Sequence, residues 1–293
     1  MGGCIARKDA GHALFAGAAP GDCLSVRARI SHPWLPLTDI IAPMNDEQLL
    51  RYNRQIMLPQ LDVAGQQKLA DAHAVIIGIG GLGSPAAIYL TAAGVGTLTL
   101  VDFDKVELTN LQRQIVHHQN DIDKAKVDSA RHNLLAINPE TRIHTMDRKP
   151  DQQTLSTLAA EADVVIDASD NYETRFALNR ACVEQRTPLV SGAAIRFEGQ
   201  VSVFDHRQQN SPCYQCLYPK SDDDEETCSE TGVLAPVVGI IGSIQALEAI
   251  KIICNIGESL TGRLLIMDAL AMNWHSLKLK RDPACPVCGT EGA

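Results

Sequence analysis

The stretch Gly78-Ile79-Gly80-Gly81-Leu82-Gly83 places Gly78, Gly80 and Gly83 at G-x-G-x-x-G spacing. An apolar run, Ala74–Ile79, leads into it, and an Ala-rich segment, Ser84–Ala93, follows. Glycines there allow a tight turn, close approach of backbone to phosphate, and close helix–strand packing. A helix starting at this point turns free N–H groups and its positive dipole end toward an anion. Asp102 ends the next apolar run, Thr97–Val101. A carboxylate in that place accepts hydrogen bonds from ribose hydroxyls. Loop, flanking elements and Asp102 together predict a nucleotide site; a glycine-rich turn without a ligand is the alternative.

The cations nearby bear on which nucleotide. Arg113 lies in Asn110-Leu111-Gln112-Arg113-Gln114, Lys126 opens the next helical segment, and Arg54 lies in Arg51-Tyr52-Asn53-Arg54-Gln55. A triphosphate needs more countercharge than a pyrophosphate bridge, and positioned cations stabilise charge that develops during adenylyl displacement. Taken singly, each is an ordinary solvated surface charge. Asp170 follows a predicted strand on the same sheet edge. A carboxylate there suits magnesium, which takes one or two carboxylates plus phosphate oxygens; a helix N-cap is the alternative. An NAD-dependent oxidoreductase is the competing reading of the loop, but no His or Tyr–Lys hydride-transfer constellation accompanies it.

Cys213-x-x-Cys216 and Cys285-x-x-Cys288 form two C-x-x-C pairs. Two such pairs close a tetrahedral zinc–thiolate site with no open position, which is a structural role. A redox dithiol is the alternative. Cys182 and Cys254 read as buried helix residues. His117 and His118 are adjacent, so they point in different directions, and no third ligand is near; we read no metal site in them.

The elements that must carry these residues alternate strand and helix from Asn45 to Ser191, which implies a parallel sheet covered on both faces. A helix is predicted from Asn45 or Asp46 to Met57, and others over Lys124–Ile137, Asp151–Ala160 and Tyr172–Arg186. Strands are predicted at Ile143–Met146, Asp163–Ala168 and Pro188–Ser191. Beyond Gly192 come an antiparallel strand, Gln200–Asp205, and a long apolar helix, Pro236–Cys254. Strands at Arg263–Asp268 and Trp274–Lys280 follow. The expected fold class is α/β, a Rossmann-like doubly wound sheet, mostly parallel with antiparallel C-terminal strands. Residues 1–43 have no period and read as a disordered extension, or as sequence upstream of a natural start at Met44. Residues 44–293 read as a single domain whose C-terminal segment is tied by zinc.

Bulk properties exclude several classes. The chain has 293 residues and a formal charge of −9. That balance argues against general nucleic-acid binding, which needs a basic face. No run of about 20 apolar residues marks a transmembrane span. Nine cysteines, an odd number in a long chain, fit a reducing compartment, read here as the cytoplasm.

The chain resembles the MoeB/ThiF/HesA family of ubiquitin-activating-like adenylyltransferases. The resemblance runs from Leu49 to Gly289. It rests on Arg51–Gln55, Gly78–Ser84, Asp102–Asp104, Asn110–Gln114, Lys126, Asp167–Asn171 and the two C-x-x-C pairs. Ser191–Arg196 and Glu198-Gly199-Gln200 look more like the MoeB branch than the ThiF branch. The resemblance implies ATP-dependent adenylation of the C-terminal glycine carboxylate of a small ubiquitin-like sulfur carrier ending in Gly-Gly. The small subunit of molybdopterin synthase is the first expectation, and the thiamine-pathway carrier the second. It also implies that Gly81 and its neighbours contact ATP, Asp102 the ribose, and Asn110, Arg113 and Lys126 the phosphates. Asp170 is implied beside the α-phosphate and magnesium. A homodimer is implied, with Arg54 reaching the partner's triphosphate, and the sulfur donor is expected to be a separate protein. In members that form a covalent intermediate, a cysteine at the place of Cys228 takes the acyl group or passes sulfur. The acidic run Asp222–Glu226 beside it disfavours a reactive thiolate. A crossover loop without covalent chemistry is the alternative.

Overall fold

The computed structural model describes residues 44–219 and 232–289. The expectations for residues 1–43, for the acidic run Asp222–Glu226 and for Cys228 lie outside the described residues.

The chain enters through α1 (Asp46–Ile56). Asn45 caps it by accepting the Gln48 N–H at 2.9 Å, while the Gln48 amide oxygen accepts the Asn45 N–H at 3.0 Å. This reciprocal cap contributes about 1 kcal/mol. α2 (Asp62–Asp71) follows and was not expected. Its segment holds a single leucine and a mid-helix glycine and so carries little helical signal; Asp62 accepts the Ala64 N–H at 2.6 Å at its start. Then β1 (His73–Ile77), α3 (Gly83–Ala93), β2 (Thr97–Val101), α4 (Lys126–Ile137) and β3 (Arg142–Met146) make the first half. The chain continues through α5 (Gln152–Glu161), β4 (Val164–Asp167), α6 (Tyr172–Gln185) and β5 (Leu189–Ile195). It ends with β6 (Glu198–Phe204), α7 (Tyr214–Leu217), α8 (Ala235–Cys254), β7 (Arg263–Asp268) and β8 (Asn273–Lys278).

The strands form one sheet in the order β3-β2-β1-β4-β5-β6-β7-β8. Neighbours from β3 to β5 are parallel, and those from β5 to β8 antiparallel. This is the expected α/β architecture. β1 alternates between two cores. Ala74 and Ile76 pack into the larger one with α3, α4 and α8, whereas Val75 and Ile77 pack with α5, α6 and Phe204. From β1 the strand order runs one way to β3 and the other way to β4. The loops after β1 and β4 therefore part at their C-terminal ends and open a crevice, the usual ligand position in such sheets.

Helix α8 has the length and apolar character of a membrane-spanning helix. It packs instead on α3, β5 and β6 as the core helix of the sheet's larger face. Its buried Gln245 donates to the carbonyls of Asp167 at 2.7 Å and Val190 at 3.1 Å, joining β4 to β5. Strand β5 runs on past Gly192, paired with β6 as far as Ile195, and the glycine marks a close approach: a Cβ there would lie 2.5 Å from the Gln245 carboxamide carbon.

Candidate active site

The crevice is a cavity of about 370 Å³. Its floor is the glycine loop. Gly78 adopts φ +91°, and a Cβ there would lie 2.6 Å from the Ala168 carbonyl oxygen. A Cβ on Gly83 would lie 1.9 Å from the Gly78 carbonyl oxygen. The outer glycines thus let the loop double back on itself, while Gly80 and Gly81 line the cavity. α3 begins at Gly83 without a side-chain bond from its N-cap Leu82, and the Ser84 N–H donates to the Gly80 carbonyl at 2.9 Å, closing the loop onto the helix.

One wall carries Asp102, Asp104, Arg113, Gln114 and Lys126. Asp102 is buried and accepts the Ile79 N–H at 2.7 Å through one oxygen and the Asp104 N–H at 2.9 Å through the other. Burial raises its pKa, with Lys126 and the two N–H groups opposing. The Lys126 ammonium lies 2.8 Å from Asp104 Oδ2, with its side chain only 7% exposed. Half-buried Arg113 lines the cavity and donates to the Thr109 carbonyl at 3.1 Å. Gln114 is buried beside Gly80, and among the described residues its amide oxygen has no hydrogen-bond partner.

The opposite wall carries Ser169, Asp170 and Asn171 after β4. Asn171, not Asp170, caps α6, accepting the Thr174 N–H at 2.9 Å. Asp170 lines the cavity and accepts the Asn171 amide at 3.3 Å. The far end is walled by Arg175, Tyr214, Gln200 and Ile266, from α6, α7, β6 and β7. Arg175 was not singled out in sequence, where it reads as an ordinary helix cation. It is buried, with Nη1 3.8 Å from Asp167 Oδ2 and Nη2 bonded to the Ser169 carbonyl. Asp167 in turn accepts the hydroxyls of Ser169 at 2.6 Å and Ser191 at 2.9 Å.

Of the predicted residues, the structure gathers Gly78, Gly80, Gly81, Asp102, Arg113, Lys126 and Asp170 around one cavity. Asn110 does not line it. Its side-chain oxygen accepts the Glu107 N–H at 3.1 Å and its carbonyl accepts the Arg113 N–H at 3.1 Å, so it braces the turn that carries Arg113. Arg54 is exposed on α1 and is not part of the cavity wall. His117 is no metal ligand. Its ring nitrogens lie 2.8 Å from Ser129 Oγ and 3.1 Å from the Ile79 carbonyl, which ties the glycine loop to α4. Burial lowers its pKa.

Cys213, Cys216, Cys285 and Cys288 converge with all four Sγ atoms within 4.8 Å of one another. The closer pairs are 3.4, 3.6 and 3.9 Å apart. A zinc tetrahedron with bonds of about 2.3 Å has sulfur–sulfur edges of about 3.8 Å. Thiolate chemistry and spacing therefore both fit zinc. The cluster is braced by the Asp282 N–H on Cys216 Sγ at 3.4 Å and by Arg281 on the Cys288 carbonyl. Cys182 and Cys254 are buried in helices as expected, and burial raises both thiols, Cys254 to about 11.

Comparison with known proteins gives this geometry its family. The ThiF family profile matches residues 52–287. The molybdopterin-synthase adenylyltransferase of Escherichia coli K12 is 46% identical over 249 residues, covering 85% of this chain and 100% of that protein. The sulfur carrier protein ThiS adenylyltransferase of the same organism is 44% identical over 250 residues, covering 85% and 99%. The crystal structure of E. coli MccB with ATP superposes with a TM-score of 0.70 at 25% identity, over 82% of this chain and 74% of that one. With a matching profile over most of its length, full-length relatives and a shared fold, the chain belongs to the ThiF family, whose relatives here are adenylyltransferases.

Proposed function

We propose that the protein adenylates the C-terminal carboxylate of a small ubiquitin-fold sulfur carrier, with the small subunit of molybdopterin synthase as first candidate. The observation that carries this reading is the single cavity shared by the glycine loop, Asp102, Lys126 and Asp170, which extends to β6 and β7 at its far end. ATP is the nucleotide substrate. Its triphosphate rests against the N-terminus of α3, its ribose on Asp102, and its phosphates between Arg113 and Lys126. Asp170 would hold magnesium together with phosphate oxygens. The carrier tail enters from the far end, past Tyr214 and Gln200.

The carrier carboxylate attacks the α-phosphorus. A carboxyl oxygen–phosphorus bond forms, the bond to the bridging oxygen breaks, and pyrophosphate leaves with the electron pair. The carboxylate is already ionised at neutral pH, so no general base is required. Catalysis is then orientation plus countercharge. The product acyl-adenylate awaits a sulfur donor, which we take to be a separate protein. In this reading the chain works as a homodimer, with Arg54 reaching the partner's triphosphate.

ATP–pyrophosphate exchange tests the proposal. Exchange should require a carrier ending in Gly-Gly and vanish when that dipeptide is removed. Comparing the molybdopterin-synthase small subunit with the thiamine-pathway carrier identifies the substrate; exchange with the second alone moves the assignment to the ThiF-type reading. Absence of exchange with both defeats the proposal.

A further inference from the structure

A chain of hydrogen bonds runs through the nucleotide wall. The Ile79 N–H donates to Asp102 Oδ2, and the Asp104 N–H donates to Asp102 Oδ1. The Asp104 carbonyl accepts the Lys126 N–H at 2.9 Å, and its carboxylate holds the Lys126 ammonium at 2.8 Å. The pairing of Lys105 with Ala125 lays this stretch against the start of α4 and brings the two residues together. Asp104 is thus the joint between the residue assigned to ribose and the residue assigned to phosphate. Its side chain is 54% exposed and that of Lys126 is 7% exposed. A carboxylate lining a cavity for a negatively charged ligand is costly unless it does something for the cation. A buried ammonium without a partner is disfavoured, and an ammonium has three donors, of which Asp104 uses one.

We propose that Asp104 is a positioning residue: it holds the Lys126 ammonium at the cavity wall with two donors left for phosphate oxygens. This rests on the phosphate role of Lys126 given above. The carboxylate does not bind ATP, and its charge opposes the triphosphate. Its contribution is to placement: losing it loosens the hold of Lys126 on the phosphates, and the simultaneous loss of a repulsive charge offsets this in overall ATP affinity, so the net effect falls on the reaction step.

Asp104→Asn keeps the size and an acceptor oxygen and removes the charge. The exchange kcat should fall about tenfold or more while the ATP KM does not rise. Thermal unfolding should be unchanged. Asp104→Glu, which restores a carboxylate, should recover kcat to within about threefold of wild type. An Asn variant with full kcat, a raised KM with kcat intact, or a Glu variant no better than Asn overturns the assignment. Calorimetric binding of a non-hydrolysable ATP analogue needs no carrier and supplies a second readout. Lys126→Met should weaken binding at least about threefold less in the Asp104→Asn background than in wild type, and an equal loss in both overturns the proposal. Failure of every carrier to support wild-type exchange would defeat the adenylation reading, and this binding cycle would still decide the role of Asp104.

Discussion

The Asp102 carboxylate accepts the backbone N–H of Ile79 at 2.7 Å, which fastens the end of β2 to the second residue of the glycine loop. The carbonyl of the same residue is held from the other side by His117. Both backbone polar groups of Ile79 are therefore held before any nucleotide arrives. A loop ordered in advance loses little conformational freedom on binding.

Asp102→Asn should weaken binding of a non-hydrolysable ATP analogue by about 10–100-fold, the cost of losing hydrogen bonds to a charged acceptor. Because burial raises the Asp102 pKa, wild type takes up a proton there at higher pH than an ordinary carboxylate. The affinity ratio of wild type to variant should therefore shrink as pH is lowered from 7 toward 5. Calorimetry at several pH values reads this ratio directly, and a ratio constant across the range contradicts it.

His117→Ala should cost about 1–3 kcal/mol in urea unfolding, because it strands the Ile79 carbonyl in a buried place. A carbonyl only accepts, so the ring nitrogen facing Ile79 carries the proton, and in the neutral ring the other accepts from Ser129. Burial lowers the folded-state pKa below the unfolded value of 6.5. The unfolded chain then binds the extra proton first as pH falls. This part of the stability is complete above that value and is lost below it. Wild type should lose more stability than His117→Gln between pH 7.5 and 5.5; equal losses would exclude His117 as the source.

Removing the metal should act on the carrier end of the cavity before the nucleotide end. Tyr214 stands on the cavity wall between Cys213 and Cys216, whereas none of the four cysteines touches the nucleotide wall. Purified protein should contain about one zinc per chain. Cys285→Ser or chelation should lower the unfolding midpoint by at least about 4 °C, the equivalent of roughly 1–2 kcal/mol at this size. The carrier KM should rise more than the ATP KM. The reverse order, or a metal content far below one, would count against this coupling.

Arg54 sits on α1, outside the cavity of its own chain. If it serves a neighbouring subunit, mixing Arg54→Ala with Lys126→Ala should regenerate exchange. Random pairing in a two-fold dimer leaves one intact site in each mixed pair, about a quarter of wild-type activity. Subunits refolded together and still inactive would place Arg54 outside the reaction.

The nucleotide half of the site was legible in sequence because its parts are local. A loop, a strand end and a helix start must occur in a fixed order along the chain, and composition marks each of them. Partners distant in sequence were not legible. His117 looked idle because Ile79 and Ser129 become its neighbours only when the sheet forms. Arg175 resembled any helix cation until α6 folded it against Asp167. Gly192 read as the end of a strand pattern, although β5 continues to Ile195. Helix α2 was missed because tertiary contact through Leu69 and Gln66, more than periodicity, holds it in place.

The fit of Gly192 under Gln245 makes two distant positions a single unit of inheritance. A side chain at 192 can be admitted only if the Gln245 carboxamide swings away or residue 245 shrinks, and either change leaves the Asp167 and Val190 carbonyls without their donor. Each change alone is a loss, so drift at one position is blocked until the other has moved. Lineages that carry the glycine should carry the glutamine, and any that abandoned one should have found another way to join β4 to β5.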